Sequence, residues 1–468
     1  MNRFKLLILV ILACVLILAG CQSSGDSQTV PETTAPVITD PAEFYNQAAE
    51  KINNADQLSY YIGISQTIGY EDQEFTHTSQ QHINIENPNS EKMRCSVTEA
   101  LQFGSYRVPI SEIYENGNGY VTLDGSSFTS PITVSDFIRR YAPAVTFTPS
   151  LYTEAEVTTQ GSHIRIAFHN ATDAEAWVMP ENATFTEGYG YAELDQNGNI
   201  LESLYTVSYK IGDAVVNKTT KITMLQNGQV LSPEEPDVYV PIDYFDAPRM
   251  LELACGYLLQ ADTVTSSVST NINCQTFSIS REQASSLTFT GSDEDFYALL
   301  DLEINQTNQS RGGEVTQIHQ TETFENGMYT ISINGTDTTQ NEGINAEAMK
   351  DYCLDALVGD ILLPRHITGA TAEEADNALT FTFQASDIFA EAICSKICNL
   401  LYSDAELLHA LSSSYEAQSL QCVLKVDKIT GLPLFFSSEY SALHTIEEIS
   451  YLLESNTEQT YQYTKISG

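Results

Sequence analysis

Apolar and polar residues alternate along most of this chain. Met93, Cys95, Val97, Leu101 and Phe103 fall on one parity, as do Phe296, Ala298, Leu300, Leu302 and Ile304. The same holds for Leu201, Tyr205, Val207, Tyr209 and Ile211, and for Leu432, Leu434, Phe436 and Tyr440. A period of two with polar residues between predicts antiparallel strands with one face in water. Helical spacing is confined to short stretches: Ala42 to Asn54, Val134 to Tyr141, Pro248 to Gln260, Ala346 to Val358 and Asp387 to Ser412.

The same order of events occurs twice. The helix ending in Asn54-Ala55-Asp56 precedes Leu58, Tyr60, Ile62 and Ile64, and the helix ending in Gln260-Ala261-Asp262 precedes Val264, Val268 and Ile272. Tyr114-Glu115-Asn116-Gly117 recurs as Phe324-Glu325-Asn326-Gly327, 210 residues on. Ile164, Ile166 and Phe168 are echoed by Leu379, Phe381 and Phe383, now 215 residues apart. Leu194-Asp195-Gln196-Asn197-Gly198 returns as Val426-Asp427-Lys428-Ile429-Thr430-Gly431. Fixed order over most of the chain is the mark of a duplication. The expected organisation is a leader over 1–20, a tether over 21–40, domains at 41–230 and 248–468, and a Pro-containing linker at 231–247. Few helices against long one-sided strands predict an α+β fold of two tandem half-barrels. Each would be a strongly curved antiparallel sheet with helices packed on its concave face.

The first residues carry a different pattern. Arg3 and Lys5 precede fourteen uncharged residues, Leu6 to Ala19, and then Leu18-Ala19-Gly20-Cys21 closes the run. Such a run reaches only about 21 Å as a helix, short of the roughly 20 residues that span a bilayer. It has the proportions of a secretory signal. The residues before Cys21 match the lipobox, in which the cysteine receives lipid and becomes the mature N-terminus. The Ser/Thr/Pro-rich segment Gln22 to Asp40 is expected to act as a flexible spacer. The expected localisation is therefore outside the bacterial cell membrane, held by a lipid anchor on Cys21.

Charge narrows the function classes. Without residues 1–20, 19 basic side chains face 62 acidic ones. Nucleic acid is excluded as a partner, since phosphate binding relies on Lys and Arg. Seven cysteines remain after Cys14 and Cys21, with no CxxC among them. They read as small core residues, with Cys394 and Cys398 on one predicted helix as the pair open to another role.

The order of helix, long meander, helices and final hairpins resembles the LolA-like family of lipoprotein-localisation and lipid-carrier folds. That group includes LppX/LprG-type lipoproteins and the RseB sensor domain. The hairpin Asp427 to Gly431, followed by Leu432-Pro433-Leu434, is similar to the turn such proteins carry late in the domain. The resemblance implies a non-enzymatic binding protein with a lipid or other amphipathic ligand. On that reading acyl chains would lie against Ile164, Ile166, Phe168, Tyr205, Val207 and Tyr209, and in the second copy against Leu379, Phe381, Phe383, Leu434, Phe436 and Tyr440. The alternative is a structural or sensory module with filled cores that binds another envelope protein.

No catalytic motif supports an enzyme: HExxH, GxSxG and a P-loop are all missing. No metal or cofactor is expected. Asp195 to Asn199 has the look of a calcium loop, but its repeat partner has Ile429 and Gly431, so a hairpin turn explains both. His77 and His82, five apart, are expected on opposite faces of one strand, and the scattered histidines are expected to face solvent.

Overall fold

In a computed structural model of the chain, described residues run from 38 to 463. Excepted are 71–72, 141–154, 170–182, 226–228, 232–238, 261–262, 276–278, 291–296, 309–311, 350–351, 353–363, 376–377, 387–412 and isolated single positions. The lipobox cysteine Cys21 and the predicted helix Asp387 to Ser412 lie outside the described residues, as do most of Ala346 to Val358 and both Cys394 and Cys398.

The first helix, α1 (Pro41–Asn53), starts where the sequence supplies its ends. Asp40 caps it by accepting the Glu43 amide at 3.0 Å, and proline occupies the first turn. Strands follow: β1 (Gln57–Tyr70), β2 (Gln73–Glu86), β3 (Arg94–Phe103), β4 (Tyr106–Glu115), β5 (Asn118–Leu123) and β6 (Ser126–Pro131). A short helix, α2 (Val134–Arg140), separates these from β7 (Ala155–Gln160), β8 (His163–His169), β9 (Thr184–Asp195), β10 (Ile200–Ile211) and β11 (Ala214–Met224). The linker contributes β12 (Val240–Pro241) before α3 (Ala247–Gln260).

The second half repeats the series. It comprises β13 (Thr263–Cys274), β14 (Ile279–Thr290), β15 (Tyr297–Asn308), β16 (Glu314–Glu325), β17 (Met328–Ile333) and β18 (Thr336–Glu342). It continues with β19 (Ile367–Ala375), β20 (Ala378–Ala385), β21 (Ser413–Asp427), β22 (Pro433–Ile446) and β23 (Ile449–Tyr463).

Strand order in the first sheet is β12-β6-β5-β4-β3-β2-β1-β11-β10-β9-β8-β7, and in the second β18-β17-β16-β15-β14-β13-β23-β22-β21-β20-β19. Laying β1–β11 on β13–β23 makes the two orders identical. In each, two antiparallel meanders meet where the first strand pairs with the last, Ile62 opposite Ile222 in one and Val268 opposite Gln459 in the other.

Two expectations need correction. Helix is sparse, so the chain is mostly β rather than a balanced α+β fold. The sheets are also broad and open, not strongly curled half-barrels. Among the described residues their end strands pair with one neighbouring strand only.

Residues 38–468 form one compact unit with a contiguous core that draws on both sheets. The predicted parity holds through β3, where Met93, Cys95, Val97, Leu101 and Phe103 are all buried. It slips at the start of β10, where a bulge between Ile200 and Glu202 puts Ile200, not Leu201, on the buried face. The linker ties the sheets at their edges: Ile242 donates its amide to Thr129 O in β6, and Asp243 donates to Ala370 O in β19, both at 2.9 Å.

Candidate binding cleft and the faces behind it

The strand faces named from sequence are packed. Ile164, Ile166, Phe168, Val207 and Tyr209 are buried, as are Leu379, Phe381, Phe383, Phe436 and Tyr440. Tyr205 is half-buried against the same core, and Leu434 is half-buried on a shallow pocket beside Tyr70 and Tyr463. Burial pushes the Tyr209 phenol up to about 12. All of these side chains but Leu434 belong to, or pack against, one contiguous core.

Both hairpin motifs are turns held by their aspartates. Asp195 accepts amides from Asn197 and Asn199 and the Asn199 side chain, each at 2.8 Å. Burial works to raise its carboxyl, but the bonds from Asn199 and Asn197 outweigh that and hold it below the usual range. Asp427 does the same for the amide and hydroxyl of Thr430 at 2.7 and 2.8 Å. Gly198 and Gly431 sit at φ +72° and +75°, where a side chain would be strained.

Sequence reasoning missed a charged patch on the buried face of the first sheet. Glu99 accepts the Ser79 hydroxyl at 2.7 Å and the Gln81 amide at 3.2 Å, and pairs with Arg249 of α3. Burial would raise the Glu99 carboxyl, yet Arg249 and these hydrogen bonds hold it below its ordinary value. Beside it His77 Nδ1 lies 2.8 Å from the Tyr257 hydroxyl. Burial first, then Arg249 and Lys218, lower His77 to about 4.

His77 therefore faces inward, not to solvent, while His82 stacks on Tyr61 across the other face with ring centroids 4.6 Å apart. His444 is also fully buried, against expectation. The visible signal was a break in parity: Glu99 stands where β3 demands an apolar residue.

A cleft of about 800 Å³ opens where α2, the end of β4 and the linker meet. Its floor is aromatic. Tyr114 packs on Phe137 at 5.1 Å, and Phe137 on Phe245 at 5.8 Å. Gly119 makes room for this, since a Cβ there would lie 2.5 Å from the Phe245 ring. Burial raises the Tyr114 phenol, offset in part by the Gly117 backbone.

Ile132 and Tyr244 form the walls, and Tyr244 also meets Phe381 of the second sheet at 5.7 Å. Asp136, Asp243 and Asp246 line the rim, with no basic side chain among the described lining residues. Asp136 is anchored by the Thr133 hydroxyl at 2.7 Å, which also accepts the Asp136 amide in an N-capping arrangement. The cleft thus presents apolar rings below and carboxylates above. It offers shape and polarity for holding a molecule.

Among the described residues no group of His, Cys, Asp and Glu is arranged to hold a metal ion, and no helix is long and apolar enough to cross a membrane. No protein-family model and no curated protein matches this sequence. Solved structures give distant matches. LprF from Mycobacterium bovis is 7% identical with a TM-score of 0.25, covering 41% of this chain and 96% of its own. A DUF1329 family protein from Desulfovibrio piger is also 7% identical, with a TM-score of 0.18 and the same two coverages. Likenesses at this level carry no argument about function.

Proposed function

We propose that this chain is an exported lipoprotein, anchored through Cys21, that works by binding and not by catalysis. Its ligand is amphipathic and sits in the cleft between α2 and the linker, not against the apolar strand faces. The observation that carries this reading is a contrast. The strand faces are filled by their own core, whereas the half-buried Ile132 and Tyr244, together with the edges of the buried Tyr114 and Phe245, border a cleft of ligand size. Aromatic rings beneath a polar rim suit a molecule with one apolar and one polar end.

Native mass spectrometry of residues 22–468 tests it. The expected result is a co-purifying mass that extracts into organic solvent as lipid and is lost in Tyr244→Ala. A clean apo mass, unchanged after incubation with envelope lipids, rejects the ligand. That outcome favours the second reading, an interaction module with closed cores, which the packed strand faces also support.

A further inference from the structure

The duplication assigns α3 to the second copy, as the counterpart of α1. Its contacts cross that boundary. Arg249 forks onto Glu99 of β3, with Nη2 to Oε1 at 2.8 Å and a second bond from Nη1 to Oε2. It also lies 3.8 Å from Glu112 of β4. At the other end of the helix, Gln260 accepts the Thr76 amide of β2 at 2.8 Å. Between them Gly256 lets the helix settle on the Phe103 ring, which a Cβ would meet at 2.4 Å.

Tyr257 of α3, whose hydroxyl meets His77 of the first sheet, also reaches its own copy. The Tyr257 ring lies 3.1 Å from where a Cβ on Gly431 would stand. Lys51, at the same helical position in α1, meets the equivalent turn by donating to Asn197 O at 2.7 Å and Gly198 O at 3.3 Å. So both helices brace their own late hairpin.

What differs is the other face. Glu43, Gln47 and Glu50 of α1 are exposed. Their counterparts in α3 are Arg249, Leu253 and Gly256, of which Arg249 and Gly256 meet the first sheet directly. Glu99 has changed in concert: by strand register its counterpart is Leu302, which has no carboxylate to offer.

We propose that α3 is a shared helix, and that the Arg249–Glu99 pair latches the two sheets into one cooperative unit. A buried carboxylate bound by a forked guanidinium has one well-defined geometry, so the latch fixes both position and rotation of the helix. The first sheet supplies the acceptor, and the second supplies the hairpin that stops the helix from sliding. Neither sheet keeps its buried face dry without it.

Hydrogen exchange and calorimetry on residues 22–468 test this. The wild type should unfold in one transition. Arg249→Met should lower amide protection in β2–β4 and in β20–β22 together, by roughly 100-fold or more. Because that variant strands a buried carboxylate and could fail to fold, Glu99→Leu with Arg249→Leu is the second variant. It should fold, regain protection in both sheets and restore the single transition. Two separate wild-type transitions would overturn the proposal. So would a loss of protection confined to β2–β4, or a double variant that leaves the sheets unfolding apart.

Discussion

At the scale of the residue, the informative positions are those that break the pattern. Glu99, Glu112, Ser79 and Gln81 lie on buried parities of β2 to β4, where alternation alone would place apolar side chains. A lone charge on an apolar stripe is legible in sequence. Its partner is not, because Arg249 is 150 residues away and meets it only through the packing of α3.

His77 shares this environment with Arg249, Lys218, Glu99 and Tyr257, and its folded value of about 4 lies below the 6.5 of a free imidazole. The unfolded chain therefore binds the extra proton between those values. Stability should be full above pH 6.5 and fall as pH drops toward 4. Glu99, held low, adds a further loss at more acid pH as it is protonated. Urea midpoints measured from pH 7 to pH 4.5 should decline, and His77→Gln should flatten the upper part of that decline. A midpoint independent of pH in this range would contradict the assigned burial.

At the scale of the element, strands were the legible part. Long alternating runs gave β3 and β10 close to their observed extents, and the first half of β1 and most of β22, because a half-buried antiparallel strand writes its two faces directly into the sequence. Bulges were not legible. The one at Ile200 to Glu202 depends on how β10 meets β9, a fact about two strands at once. The twelve residues named as ligand-facing were read as one apolar surface. Parity distinguishes the two sides of a sheet, but it does not distinguish a lining from a core.

Helix α3 illustrates close approach. Gly256→Ala should force α3 off Phe103 and cost about 1–3 kcal/mol, as overpacking generally does. Gly63→Ala is the control, since nothing lies within 4 Å of its Cβ position, and it should stay within about 0.5 kcal/mol of wild type. Thermal midpoints of the two variants are enough to decide. Equal shifts would mean that the helix has room to spare.

At the scale of the whole molecule, the cleft was the least legible feature. It draws on β4, β6, α2 and the linker, which are adjacent only after the first sheet has formed. None of its residues stands out in sequence as a set. The acidic excess, by contrast, was plain from composition and is spread over the chain. The proposed anchor has its own test: Cys21→Ser should abolish incorporation of labelled fatty acid and release the protein from the membrane fraction. Retention of the label would place the lipid elsewhere.

The two faces of the opening helices also carry a rule for growth. A helix that is buried on both sides joins the sheet behind it to the sheet ahead, as α3 does. One that turns Glu43, Gln47 and Glu50 to water joins nothing further, as α1 does. Stacked arrays end in units with a polar outer surface, which keeps them from adding members without limit. By that logic α1 is a terminator, and exchanging its wet face for that of α3 would turn a closed pair into the first two steps of a longer stack.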